Sequence, residues 1–135
     1  MNTLNPELVE SCWSKVKHNQ GENTYSTIFY ESMFEQHPDI KSLFSSDIET
    51  QRIKLLNTLN LVINSIHHIE ELKEPLLELG KLHKDINVDA PMYDIVIAHS
   101  VSALKIASNN TTTHEEEKAW EQAFRVISDA MLEAY

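Results

Sequence analysis

Glycine and proline together supply only six of this chain's 135 residues, two Gly and four Pro. That shortage constrains the fold more than any other feature. Average usage would put the pair at roughly 12% of a chain. Sandwiches and barrels turn tightly every few residues, and tight turns draw on glycine for positive φ and on proline for a preset φ. The material for an all-β architecture is missing. A length of 135 residues suits one compact domain, 1–135, and 41% hydrophobic residues are enough to fill its core. Eleven basic against 21 acidic residues give a net charge of −10. Phosphate backbones and anionic lipid surfaces select clustered cations, so neither nucleic acid nor a membrane surface is an expected partner. The single Cys12 cannot form an intramolecular disulfide, which fits a reducing compartment. No apolar run approaches the about 18 residues that cross a bilayer. The start, Met1 to Glu7, has no cationic stretch leading into an apolar one, so no signal peptide is visible and a cytoplasmic location is expected.

Apolar residues recur at helical spacing along the whole chain. Asn5 can cap a first helix, with Pro6 at its first position and Leu8, Val9, Cys12, Trp13 and Val16 as its buried stripe. Asn19-Gln20-Gly21 breaks it. A second helix runs from about Glu22 to Gln36, apolar around much of its circumference, and Pro38 stops it. His37 to Phe44 reads as one short helical turn. Ser46 and Glu49 are spaced as a capping box for a third helix, whose apolar face includes Leu55, Leu56, Leu59, Val62 and Ile66. A fourth begins near Glu71, with Pro75 in its first turn and Leu72, Leu76, Leu79 and His83 along one face. Asn87 and Asp89 mark a loop before a fifth helix that starts around Pro91. Thr113 and Glu116 form a second capping box, opening the last helix with Trp120, Ala123, Phe124, Ile127 and Met131 inside. Only Ile95-Val96-Ile97 resembles a strand, and it is too short to stand alone. The class is all-α, with five or more helices and no repeat, linker or low-complexity segment.

Most catalytic signatures are absent: there is no G-x-S-x-G, GxGxxG or phosphate loop, and no histidine pair at metal-binding spacing. Glu115-Glu116-Glu117 opens a helix, where the dipole and solvent explain it. His83 is different, a polar residue on a leucine-lined face near the end of its helix. Burying imidazole among leucines costs free energy unless both nitrogens are satisfied. It is either a core histidine bonded to a backbone carbonyl or a metal ligand with such a carbonyl on its other nitrogen. With one histidine available, a metal must bring most of its own ligands. A porphyrin brings four.

The residues carry a family resemblance over nearly the whole chain. Trp13, then Phe29-Tyr30-x-x-Met33-Phe34-x-x-His37-Pro38-x-x-x-x-Leu43-Phe44, then Leu79-Gly80-x-x-His83, Val88, Tyr93 and Trp120 occur in order. With this set the chain resembles a globin, and most nearly the single-domain bacterial haemoglobins, the globin part of flavohaemoglobins, and neuroglobin. The Pro–Phe spacing of six and the Leu-Gly-x-x-His element, found together, are the specific part.

The resemblance implies helices packed around a haem b pocket, with a short connection before the helix that carries the distal residues. His83 matches the proximal iron ligand, with Nδ1–H donating to a carbonyl such as that of Leu79. Phe44 matches the phenylalanine on the haem face and Pro38 the turn that places it. Counted back from His83 without gaps, Gln51 falls at the distal position, with Leu55 one turn further on, over the iron. Tyr30 and Tyr93 match tyrosines of the bacterial group. Phe44, Leu55, Leu76, Leu79, Leu82, Val88 and Val96 are implied to surround the macrocycle. Tyr30 and Gln51 are implied to donate to bound dioxygen, each bond worth about 1 kcal/mol, so that two raise affinity roughly tenfold. Lys54 is implied to stand at the pocket mouth, pairing with a haem propionate; a rarer role is as a sixth iron ligand. His67 and His68 lie too far along the helix to be distal ligands.

Two departures stand out. The span from Phe44 to Gln51 leaves no room for a separate small helix. Where the bacterial group often has a glutamate near the proximal tyrosine, the count from Trp120 lands on Tyr135, with Glu133 two residues away, so a strongly anionic proximal histidine is not implied. The function implied is non-enzymatic, reversible binding of dioxygen, and of CO and NO, at five-coordinate iron, for storage or scavenging. The alternatives are nitric oxide dioxygenase activity with an external reductase, a haem-based gas sensor, and a helical module without haem. A monomer is the default.

Overall fold

The computed structural model describes residues 4–44 and 47–135, and every regular element within them is helical. In chain order these are α1 (Pro6–Lys17), α2 (Glu22–Gln36), α3 (Pro38–Lys41), α4 (Ile48–Asn64), a 3₁₀ segment (Ile66–Leu72), α5 (Lys73–Asp85), α6 (Ala90–Ala107) and α7 (His114–Leu132). Side-chain capping accounts for the starts of α1, α4, α6 and α7. Asn5 Oδ1 accepts the Leu8 N–H at 3.3 Å, and Asp89 Oδ1 accepts that of Met92 at 3.2 Å. The Thr113–Glu116 capping box is complete at the head of α7. Ser46, expected to cap α4, lies outside the described residues. Asp47 is the cap there, taking the Thr50 N–H at 2.8 Å.

Two boundaries differ from the sequence reading. α4 ends at Asn64, and the chain passes through the 3₁₀ segment before α5 opens at Lys73. Ile66 and Leu72, both buried, pin the ends of that segment, while His68 leaves helical geometry at φ −138°, ψ 47°. Burial of those two side chains outweighs the poorer hydrogen bonding of a tight helix. Ile95-Val96-Ile97 lies inside α6, where local β-propensity yields to the surrounding helix.

α7 is the central strut, packed by α1, α5 and α6, while α2 packs on α6 and on α3 and α4. Trp13 and Trp120 stack at 5.7 Å between α1 and α7, with Tyr25 edge-on to both. Cys12, fully buried, donates its S–H to the Glu116 carbonyl at 3.2 Å. Burial pushes the thiol up to about 12, so it is a packing residue and not a nucleophile. The Glu116 carboxylate, itself buried, receives Lys15 Nζ at 2.6 Å, the Ser11 hydroxyl and the Thr113 N–H at 2.8 Å.

Gly80 decides how α5 meets α7. A Cβ there would stand 2.1 Å from the Met131 carbonyl oxygen, so only glycine lets the two backbones approach this closely. That crossing sits one turn before His83 and sets the height at which its ring stands over the interior.

Candidate functional site

Between α2, α4, α5, α6 and α7 lies a cavity of about 1120 Å³ of atom-free space, its mouth included. Its lining is overwhelmingly apolar, with a few polar groups at defined points, the pattern of a site for a large apolar ligand. His83 enters from α5 and Gln51 from the first turn of α4.

The α2 side carries Tyr30, only 6% exposed. Its hydroxyl donates to the Gln51 backbone carbonyl at 3.4 Å, a long and weak bond. Burial pushes the phenol up to about 12, so at neutral pH it is a donor. Its ring meets Phe44 edge-on at 6.1 Å, and Phe34 closes an aromatic trio at 5.5 Å from Tyr30 and 5.3 Å from Phe44. Phe44 reaches this place because Pro38 starts α3 immediately after α2 ends. The chain then keeps turning, with Leu43 N–H on the Ile40 carbonyl and Phe44 N–H on that of Lys41. Leu55 lines the same wall one turn beyond Gln51, and Lys54 lies exposed at the margin.

On the opposite side His83 Nδ1 bonds the Leu79 carbonyl at 2.8 Å. That carbonyl is only an acceptor, so Nδ1 carries the hydrogen. Nε2 has no hydrogen-bond partner among the described residues, and His83 lines the cavity. Burial pulls the imidazole below its ordinary value against the opposing pull of the Leu79 bond. The ring is neutral at pH 7, and neutral imidazole is the metal-binding form. Leu79, Val88, Tyr93 and Val96 complete this wall, with the Tyr93 ring centroid 6.3 Å from that of His83.

The turn after α5 is built by Asn87. At φ 69° it sends the chain back so that its N–H reaches the Lys84 carbonyl and the Val88 N–H the His83 carbonyl, both at 3.0 Å. This is a Schellman ending with asparagine in the left-handed position. It directs Val88 into the cavity.

Ten of the twelve residues expected at the site therefore line one space. Leu82 is the correction. It is 63% exposed and faces away, because a residue adjacent to His83 is rotated by about 100° around the helix. Leu76 is displaced too. It is buried in a smaller apolar pocket of about 380 Å³ behind Leu79, bounded by Leu61, Leu72 and Pro75. Phe124, Ile127, Ser128 and Met131 of α7 line the cavity and went unseen, as did Met92. Their spacing signals burial only, since a core position and a cavity wall give the same periodicity. Tyr135 stands where the sequence count placed it. Its hydroxyl is 3.1 Å from that of Tyr93 and donates to the Val88 carbonyl at 2.7 Å.

The donor set fits a metal that arrives with its own ligands. Among the described residues no three His, Cys, Asp or Glu side chains come together to hold an ion, while one neutral histidine presents a free nitrogen to an apolar cavity. An iron porphyrin matches that demand, and the greasy walls match its faces.

Comparison with known proteins agrees with this geometry. A family model described as Globin matches residues 27–131. Flavohemoprotein B of Dictyostelium discoideum is 29% identical over 110 residues, covering 81% of this chain and 26% of its own length. The flavohemoprotein of Bacillus subtilis is 28% identical over 107 residues, covering 77% and 27%. The chain thus spans about a quarter of the length of these curated relatives. Among solved structures, an engineered carbene transferase from Rhodothermus marinus, described as a candidate nitric oxide dioxygenase, superposes with a TM-score of 0.85 at 22% identity. That match covers 98% of this chain and 94% of the other. A bacterial globin from Campylobacter jejuni gives 0.79 at 22% identity, covering 96% and 92%. Both establish the fold. No helix among the described residues is long and apolar enough to cross a membrane.

Proposed function

The chain belongs to the globin family, and on that premise we propose that residues 1–135 act as one haem-binding domain that takes up dioxygen, and other diatomic gases, reversibly. The observation that carries the reading is His83: a neutral imidazole, oriented by the Leu79 carbonyl at 2.8 Å, whose second nitrogen has no partner among the described residues and which lines an apolar cavity. Bound haem b would supply an iron able to take a gas ligand. His83 Nε2 would hold that iron. Phe44, Leu55, Leu79, Val88 and Val96 keep water from the macrocycle, which slows loss of the ferrous state. Tyr30 and Gln51 would offer donors to a gas ligand, and Lys54, exposed at the margin, would pair with a propionate. Tyr30 donates to the Gln51 carbonyl, and a bond of that length is cheaply exchanged for a stronger one to a gas ligand.

A second reading, nitric oxide dioxygenase activity, is favoured by one observation. The relatives in Dictyostelium and Bacillus are flavohemoproteins, whose name joins a flavin to the haem, and this chain corresponds to about a quarter of them. Conversion of NO and dioxygen to nitrate takes up one electron per turnover, and a flavin reductase partner would deliver it. The expectation of a non-enzymatic protein finds no support in these relatives.

Absorption spectra of haem-reconstituted protein test the first reading. The ferrous protein is expected to be five-coordinate and to change on exposure to CO or air, and His83→Ala to abolish the signal. Protein that takes up no haem would overturn it. Sustained NADH-dependent NO consumption with an added flavin reductase decides the second, since a simple carrier is oxidised once and stops.

A further inference from the structure

We propose that Tyr135 is a positioning residue for His83, acting through the hydroxyl of Tyr93 and the backbone of Val88; the inference rests on the haem-binding reading above. The argument is one of hydrogen-bond direction. A phenol has one proton and two lone pairs. The Tyr135 hydroxyl lies 2.7 Å from the Val88 carbonyl oxygen, which can only accept, so its proton is committed there. The Tyr93 hydroxyl is 3.1 Å from the same Tyr135 oxygen. Tyr135 has no second proton to give, so Tyr93 is the donor.

Three hydrogen bonds and one aromatic contact close a ring of interactions. Val88 N–H donates to the His83 carbonyl at 3.0 Å, Tyr135 O–H to the Val88 carbonyl, and Tyr93 O–H to Tyr135, and the Tyr93 ring lies 6.3 Å from the His83 ring. Tyr93 is 5% exposed and fixed in α6, whereas Tyr135 is 40% exposed and follows the end of α7. Tyr135 therefore joins three elements, the turn after α5, α6 and the tail of α7, beside the side chain proposed to hold iron. Its chemical consequence is specific. The Tyr93 proton is drawn away from His83, whose Nδ1–H keeps the Leu79 carbonyl as its sole acceptor among the described residues. Every group in the ring is neutral, so the ligand histidine is held in position without a carboxylate partner.

Tyr135→Phe removes both hydroxyl bonds and keeps the aromatic ring. The decisive readout is the iron–histidine stretching band of the ferrous haem protein by resonance Raman, with the reduction potential beside it. The expected result is a band that moves and broadens in Tyr135→Phe. Tyr93→Phe should move it in the same sense, since it breaks the ring at the neighbouring link while leaving the Tyr135–Val88 bond. The double variant should add little to either single one, as expected for two residues in one network. If Tyr135→Phe lowers thermal stability but leaves band and potential at wild-type values, Tyr135 is a clasp and the proposal falls. Should Tyr135→Phe fail to take up haem, Tyr93→Phe decides alone, and a wild-type band there also overturns it. Failure of the wild-type protein to bind haem is a different result, and it overturns the haem reading itself.

Discussion

A residue's chemistry at this site follows from where its hydrogen points. Tyr30 has its hydroxyl proton on the Gln51 carbonyl at 3.4 Å, and a buried phenol that stays protonated can redirect that proton to a better acceptor. Removing the hydroxyl in Tyr30→Phe keeps the ring against Phe34 and Phe44 but deletes one donor worth about 1 kcal/mol. The expected outcome is a roughly fivefold faster dioxygen release, measured by stopped-flow displacement with CO, and little change in melting temperature. His83 was visible in the sequence as a polar residue on a leucine face, and the Leu79 carbonyl was its expected partner. Leu82 was misread because a resemblance carried along a helix transfers neighbours that the helix turns away. Residue spacing identifies a face, and only packing says what that face meets.

Two elements carry the placement of His83, and each rests on a backbone position. At Gly80 the α5–α7 crossing leaves 2.1 Å between a would-be Cβ and the Met131 carbonyl. Gly80→Ala must push the helices apart, since the obstacle is backbone and cannot rotate away. The expected cost is about 3 kcal/mol or more, read as a denaturation midpoint shift, together with weakened haem uptake. The turn after α5 depends on Asn87 at φ 69°. Asn87→Gly should be neutral or slightly stabilising, while Asn87→Val should cost about 1–2 kcal/mol because a β-branched residue resists the left-handed region. Urea unfolding of the two variants checks the ordering. Leu-Gly-x-x-His signalled that the glycine mattered; the reason, a carbonyl of α7 lying against it, has no trace in local sequence.

For the whole molecule, the buried charge that joins α1 to α7 makes stability depend on pH in the acid range. Burial pushes the Glu116 carboxyl up, but hydrogen bonds from Lys15, Ser11 and the Thr113 N–H outweigh it and hold the group at about 2, against an ordinary 4.5. A carboxyl depressed on folding stabilises the native state fully above its unfolded value and loses that contribution as pH falls toward the folded one. Stability is expected to decline between about pH 4.5 and 2, and Glu116→Gln should flatten that part of the curve while lowering stability at neutral pH; a series of urea midpoints against pH measures both. The helix class, the caps at Asn5 and Thr113 and the face of His83 were legible in the residues, because Gly and Pro scarcity, capping chemistry and periodicity are all local. The 3₁₀ passage, the α7 wall of the cavity and the Tyr135–Val88 bond came only with the tertiary structure. The wall and the bond join residues far apart in sequence, Tyr135 and Val88 by 47 positions, and such meetings depend on how helices cross, which no local pattern encodes.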